Sequence, residues 1–390
     1  MKTASVIISV AILEVAVALT LIPLVTPARL KTTDFVNFYI GASIVRNGRG
    51  AELYRRETQD AAYRSSLGYA SNQYFLHPPF EAAALAPLAL MSMEHAFAAW
   101  MLVNVAFLGC LPLLLMPCVP LIERRPYMAL LGFTFLPALI ALNLGQDSLV
   151  LLFILSASYL LLSKGKHFAA GLVLALLAIK FQYLAVLTPM LLFSRRFRML
   201  AGVSAGCGFL AVVSLLITGP RGLMEYFAFV RDFDAQGGYG GLNPALMVNA
   251  RGFLVGLGYA AGAKYSWIIA SALFAGTGFY LGRKQRGESS ELHFAFFLTG
   301  GLIASPYAHF PDATLLLLPM ILAVDRIVAE EVQHRKLITT ACVALFLSPY
   351  LLLLRGHHRW WEGPVYLLFV VIAVFAASLA VEISGLRINN

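Results

Sequence analysis

Residues 167–198 read HFAAGLVLALLAIKFQYLAVLTPMLLFSRRFR, and how this stretch is divided decides the topology of the chain. The run from 167 to 193 is long enough for a single membrane helix, which needs about 20 apolar residues. Lys180 and Gln182 interrupt it near the middle, and Ser194-Arg-Arg-Phe-Arg198 follows at once. A single helix would carry that basic cluster to the side opposite Lys164 and Lys166 and invert every later connection. Two short segments turning at Lys180-Phe-Gln182 return it to the same side. Short loops rich in Lys and Arg stay cytoplasmic. Under the two-segment reading, one set of connections holds Arg124 and Arg125, Lys164 and Lys166, Arg195, Arg196 and Arg198, Arg283, Lys284 and Arg286, and Arg326, Arg335 and Lys336. The alternate connections hold only Lys180, Arg355 and Arg359. The first set is therefore read as cytoplasmic, together with both termini.

Composition agrees with a bilayer as solvent. The 390 residues are 59% apolar and only 13% charged, with a mean hydropathy of +0.77. Soluble domains carry about 25% charged residues, and a water-facing surface built from half that supply would expose large apolar patches. The net charge of +9 is scattered in short clusters between apolar runs, which is not the continuous basic face of a nucleic-acid binder. Cys110, Cys118, Cys207 and Cys342 lie in or beside apolar stretches without metal-ligand spacing, so they imply neither a disulfide framework nor a compartment. Ser5 to Thr26 is long enough to span and lacks a small-residue cleavage site, so it reads as a retained first helix.

Counting that helix, the apolar segments number roughly twelve and form one integral-membrane domain over 1–390. The expected fold is an all-α polytopic bundle in the cytoplasmic (inner) membrane. Two long polar stretches, 28–93 and 219–264, fall outside as extracytoplasmic loops. Pro137, Pro189, Pro306 and Pro311 are placed to kink or end helices. The same parity puts Asp34, His77, Asn143, Gln146, Asp147, Lys180, Gln182, His309, Asp312, His357 and His358 on the outer side. A protein that gathers unusual polar groups at one membrane surface is expected to work there.

In the first loop, Asp34 sits where the first helix meets the outer surface. A carboxylate there can take a proton from an acceptor hydroxyl that attacks a sugar carbon, or it can cap the helix that follows. Spacing alone does not separate the two. Pro78-Pro79 forces an extended turn before an interfacial or re-entrant helix over 80–92, and His77 beside it can contact a phosphate or be structural. Asn143-Leu-Gly-Gln146-Asp147 is a tight turn in which Asn143 and Asp147 are ordinary turn formers, an explanation that suits Gln146 less well. Lys180, alone at a turn between apolar segments, needs a partner or solvent; an anionic lipid phosphate would supply one. In Ser305-Pro306-Tyr307-Ala308-His309-Phe310-Pro311-Asp312 two prolines break the chain where helices meet, so polar groups can line a cavity. There His309 can donate to a phosphate, and Asp312 can orient it or cap the next helix. Gly237-Gly-Tyr-Gly-Gly241 has no preceding strand and is no nucleotide loop; a mobile lid is the expectation for it.

Taken in order, Asp34-Phe-x-x-Phe-Tyr-x-Gly41, Gly48, Leu53-Tyr54, His77-Pro-Pro-Phe80, Pro87, Trp100, Asn104, Gly145-Gln146, Gly171, Lys180-Phe-Gln182, Arg195-Arg-Phe-Arg198 and Ser305-Pro306 resemble glycosyltransferase family 87 from about residue 30 to 320. The resemblance implies a GT-C-type bundle. It also implies inverting transfer of a hexose, usually mannose, from a polyprenyl-phosphate donor to a lipid or glycan acceptor at the outer surface. On that likeness Asp34 is the expected base. Lys180, His309 and His77 are expected near the donor phosphate, and Tyr39, Gln146, Gln182 and Asp312 along the substrates. The stretch Tyr307-Ala-His309-Phe-Pro-Asp312 departs from the family pattern and leaves the role of His309 open. No carboxylate cage for Mg²⁺ or Mn²⁺ stands out in the sequence, so transfer without a metal or cofactor is expected. A secondary transporter and a lipid-binding scaffold of envelope assembly are the rivals. Glu14 is the clearest mid-helix acid for a transporter, but no internal repeat accompanies it.

Overall fold

The structure, a computed structural model, describes residues 30–68, 73–235, 243–284, 290–355 and 362–385. The expected first helix at 5–26 with Glu14, the glycine run at 237–241, and His357 and His358 lie outside these residues. The described chain is helical, and its only β-pairing is an isolated bridge between Met247 and His309. In chain order the helices are α1 (Phe35–Arg46), α2 (Arg56–Leu67), α3 (Pro79–Leu85), α4 (Met93–Leu115), α5 (Pro120–Arg124), α6 (Leu136–Leu144), α7 (Ser148–Ser163), α8 (His167–Leu174), α9 (Phe181–Phe193) and α10 (Phe197–Ala235). They continue as α11 (Ala250–Gly256), α12 (Ala260–Ala263), α13 (Ser266–Lys284), α14 (Ser290–Ala304), α15 (Leu317–Val328), α16 (Arg335–Leu347) and α17 (Glu362–Ser384). Tighter three-residue-per-turn segments join several of them, notably at 126–134, 175–180 and 310–316.

Among the described residues, five runs are long and apolar enough to cross a membrane: Met93–Leu115, His167–Phe193, Phe197–Phe233, Arg335–Leu353 and Val365–Ser384. Large side chains such as Phe209, Leu216, Ile269, Leu273 and Leu353 are exposed on the outside of the bundle, as lipid contact requires.

The second of these runs is not straight. A straight helix from Gly171 to Phe193 would place its ends ~33 Å apart at 1.5 Å per residue. Gly171 instead packs on the start of α10, where an added Cβ would lie 2.0 Å from the Met199 carbonyl oxygen. Further along, Gly202 meets Phe168 and Leu172, and Gly206 meets Ala175. The contacts advance together, so α8 and the first turns of α10 rise from the same end, and α9 between them must run back. The reversal falls where the backbone leaves helical values, at Lys180 (φ −115°, ψ 76°). Lys164, Lys166, Arg195 and Arg196 thereby share one end of the bundle, and Lys180 sits toward the other.

Within the first polar stretch, residues 30–68 and 73–93 form a packed layer. The α1 helix follows Asp34 and buries Phe35, Phe38 and Ile40 against Phe97, Trp100, Tyr63 and Phe75. Pro79 opens α3 from an extended Pro78 (φ −62°, ψ 153°), the position where a missing N–H costs nothing. The stretch 219–264 is less of a loop than expected, because α10 bends at Gly219 (φ 68°, ψ 173°) and stays helical to Ala235. Tyr226 and Phe229 of that arm complete the core of the first layer.

Close backbone approach predicts a sharp asymmetry among glycines. Gly171→Val should destabilise the α8–α10 contact by at least the ~1–3 kcal/mol typical of overpacking. Gly208→Ala, which meets nothing within 4 Å, should leave the unfolding temperature in detergent unchanged or slightly raised.

Candidate functional site

Three chain reversals deliver the polar residues. The first is Leu144-Gly-Gln-Asp147. Gly145 ends α6 in the left-handed region (φ 67°), and a Cβ there would lie 2.7 Å from Phe35 and from the Phe97 ring. Only glycine fits both demands. Trp100 Nε1 donates to the Gly145 carbonyl at 2.8 Å, and the Asp34 N–H donates to the Leu144 carbonyl at 2.9 Å. The first layer is thus bolted to this turn. Lys180 supplies the second reversal. The third is the break after α14, where the His309 N–H donates to Asp312 Oδ2 at 2.9 Å and the Asp312 N–H returns to the His309 carbonyl at 2.9 Å.

Asp34 precedes α1 at its cap position, yet its side chain makes no capping bond. Its Oδ2 accepts from Gln146 Nε2 at 2.5 Å. Gln146 Oε1 in turn accepts from Lys180 Nζ at 3.4 Å. Lys180 Nζ also donates to Asp312 Oδ1 at 2.6 Å and forms an ion pair with Asp147 Oδ1 at 2.7 Å. Two carboxylates and one amide oxygen thus surround the ammonium. Ser148 Oγ adds a 3.1 Å bond to Asp312 Oδ1. His77 Nδ1 lies 2.7 Å from Glu81 Oε2, and Gln182 Nε2 donates to the Tyr307 carbonyl at 3.4 Å.

Asp34, His77, Gln146, Lys180, Gln182, His309 and Asp312 all line one cavity of about 910 Å³, near the top of the ~300–1,000 Å³ range of small-ligand sites. Much of the rest of its wall is apolar, with Ile140, Leu144, Phe181, Leu352 and Val365, while Asn37, Gln73 and Asn243 add further polar groups. Burial raises the Asp34 carboxyl above the ordinary carboxylate range, although the Gln146 bond and the Lys180 charge pull the other way. Burial drives the His309 imidazole down to about 4, against the attraction of Asp312, so it is neutral near pH 7. Its Nε2 is buried and has no hydrogen-bond partner. For His77, burial disfavours the charged form, but Glu81 and Asp147 outweigh it and raise its pKa.

The sequence profile of glycosyltransferase family 87 matches residues 75–306, more than half of the chain. The chain belongs to glycosyltransferase family 87. No curated protein and no solved structure matches it. The family match begins beyond Asp34 and ends three residues before His309, so Asp34, His309 and Asp312 enter the site on geometry.

Of the eight site residues expected in this family 87 chain, Tyr39 is the one the fold turns away. One helical residue beyond Phe38, it leaves the cavity and donates to the Met91 carbonyl at 2.9 Å. Lys180 reaches the cavity as a buried ammonium paired with Asp147 and Asp312 and 3.4 Å from Gln146 Oε1. Asp312 likewise is spent on Lys180, Ser148 and His309. Sequence reasoning passed over Asp147 and Glu81. Asp147 was explained by its turn, and Glu81 carried no signal beyond its place four residues after His77.

Lys180→Met would leave Asp147 and Asp312 buried without their cation, a loss of about 3–5 kcal/mol for a broken buried pair. A lowered unfolding temperature in detergent is the expected outcome, with partial recovery in Lys180→Met/Asp312→Asn.

Proposed function

We propose that this protein transfers a hexose, by family likeness mannose, from a polyprenyl-phosphate carrier to a hydroxyl of a lipid or glycan acceptor. The reaction takes place at the outer face of the cytoplasmic membrane, within a GT-C-type bundle of roughly twelve segments whose termini are cytoplasmic. The observation that carries this reading is Asp34: a carboxylate at a helix start that caps nothing, is held by Gln146, and faces a cavity with one polar and one apolar side. Membership of a glycosyltransferase family favours an enzyme over a transporter or a scaffold.

In this mechanism the donor's tail lies along the apolar wall and its sugar in the polar part. Asp34 accepts the proton of the acceptor hydroxyl as the oxygen attacks the anomeric carbon, and the carbon–phosphate oxygen bond breaks on the opposite face, which inverts the centre. A raised carboxylate pKa suits a base working near neutrality. Gln146 fixes the Asp34 carboxylate, and Lys180 fixes Gln146. His309, neutral with an unsatisfied Nε2, is placed to donate to the departing phosphate as the Nε2–H tautomer.

The deciding assay supplies labelled polyprenyl-phosphate-mannose and a membrane lipid extract to the purified protein. Asp34→Asn should lower label transfer by ~10²–10⁴-fold, the range of general-base catalysis, with donor binding kept; full turnover would remove Asp34 from the chemistry. Because the base acts ionised, the rate falls as pH drops through the pKa of Asp34. The acid limb of the pH profile should therefore lie above that of an ordinary carboxylate. Gln146→Leu removes a bond that favours the ionised form, so it should move that limb to higher pH.

A further inference from the structure

His77, Glu81 and Asp147 form a group that the transfer chemistry above leaves unused. Each offers one ligand atom, and these atoms lie within 4.8 Å of one another. His77 Nδ1 is 2.7 Å from Glu81 Oε2 and 3.8 Å from Asp147 Oδ2. Asp147 divides its carboxylate: Oδ1 holds Lys180 at 2.7 Å, while Oδ2 is shielded from solvent and accepts no hydrogen bond. The three atoms lie close enough together to share one ion, and the other Asp147 oxygen faces Lys180.

Charge gives a second, independent argument. Glu81, Asp147 and Asp312 are all buried; Lys180 pairs with the two aspartates and His77 with Glu81, so three carboxylates meet two cationic groups at most. Buried charge without compensation costs several kcal/mol per ion. A phosphate-bearing donor would bring further negative charge to the same cavity, which His77 lines, while Lys180 is already paired with two carboxylates.

We propose that His77 Nδ1, Glu81 Oε2 and Asp147 Oδ2 bind one divalent cation of the zinc or manganese class, with its remaining positions toward the cavity. One imidazole and two carboxylates suit such ions. The ligands are also held in place. The His77 ring packs edge-on against Phe38 with centroids 4.9 Å apart, and its backbone carbonyl accepts from the Tyr54 hydroxyl at 2.6 Å. Glu81 projects from the first turn of α3, whose start Pro79 fixes. The cation offsets the excess of carboxylates and faces an anionic oxygen of the donor. That last role rests on the function proposed above; the binding of the ion does not.

The test uses the full chain, purified in detergent with any affinity tag removed, stripped with EDTA and then dialysed against Zn²⁺ or Mn²⁺. About one equivalent of metal by mass spectrometry, with a raised unfolding temperature as expected when a ligand binds only the folded state, is the predicted result. His77→Phe, which keeps the ring packing, and Glu81→Gln should each lower metal affinity by at least ~10-fold while remaining folded. Wild-type protein that retains no metal and unfolds at the same temperature with EDTA or either ion would overturn the proposal and leave the cluster a hydrogen-bonded imidazolium–carboxylate pair. Metal that binds equally to both variants would overturn it as well. Because the readout is binding, loss of this site and loss of the transferase reading are separate results.

Discussion

A lysine in an apolar environment must find acceptors, and the site is organised around that constraint. Lys180 stands at a joint where the backbone leaves the helix, with its ammonium buried among Asp147, Asp312 and Gln146. These partners come from residues more than thirty and more than a hundred positions away in the chain. Burial of the charge is unfavourable unless all three meet it at once, so the ion pairs fix the mutual register of the 145–147 turn, the 180 joint and the 309–312 break. Their yield in stability is small, because desolvation cancels most of the attraction. Their yield in specificity is large, since one displaced partner leaves a charge uncovered. Through Gln146 the same arrangement reaches the Asp34 carboxylate, so a structural demand and the placement of the proposed base are one problem with one solution.

Much of the membership of this cavity was legible in the sequence. Counting Lys and Arg in short connections placed Asp34, His77, Gln146, Lys180, Gln182, His309 and Asp312 at one end, and the fold brings those seven to one cavity. What it could not carry was where each side chain is spent. Asp34 and Asp147 do occupy the cap positions that their residue types favour, yet neither caps. Residue preference describes the backbone slot, whereas the destination of the carboxylate depends on elements distant in sequence. Tyr39 fails for a related reason. It belongs to the same motif as Asp34, but a helix turns about 100° per residue, and position 39 points to Met91 where 38 points inward. Glu81 is separated from His77 by two prolines, so their pairing depends on an extended turn before α3 and not on helical spacing.

The family match and the geometry contribute differently. Family membership supports the glycosyltransferase class and covers the turn at 145–147 and the joint at 180. Asp34, His309 and Asp312 fall outside it, and they join the site because hydrogen bonds tie them to residues inside it: Asp34 to Gln146, Asp312 to Lys180, His309 to Asp312.

The irregular helices follow from putting polar groups inside an apolar bundle. Backbone groups freed where a helix breaks find no water in lipid, so such breaks persist only where protein covers them. The molecule obeys this in the contrast between neighbours. The run His167–Phe193, broken at Lys180, has 61% of its apolar window buried inside the protein, whereas Phe197–Phe233, regular until its bend at Gly219, has 28%. The long regular helix faces lipid and the interrupted one lies inside. A broken helix in the interior also ends its turns at the cavity, which is how Lys180, Gln182 and the 309–312 corner reach a pocket that an unbroken bundle would have closed. The features that make these segments poor membrane helices, a mid-run lysine and paired prolines, are therefore the features that build the site.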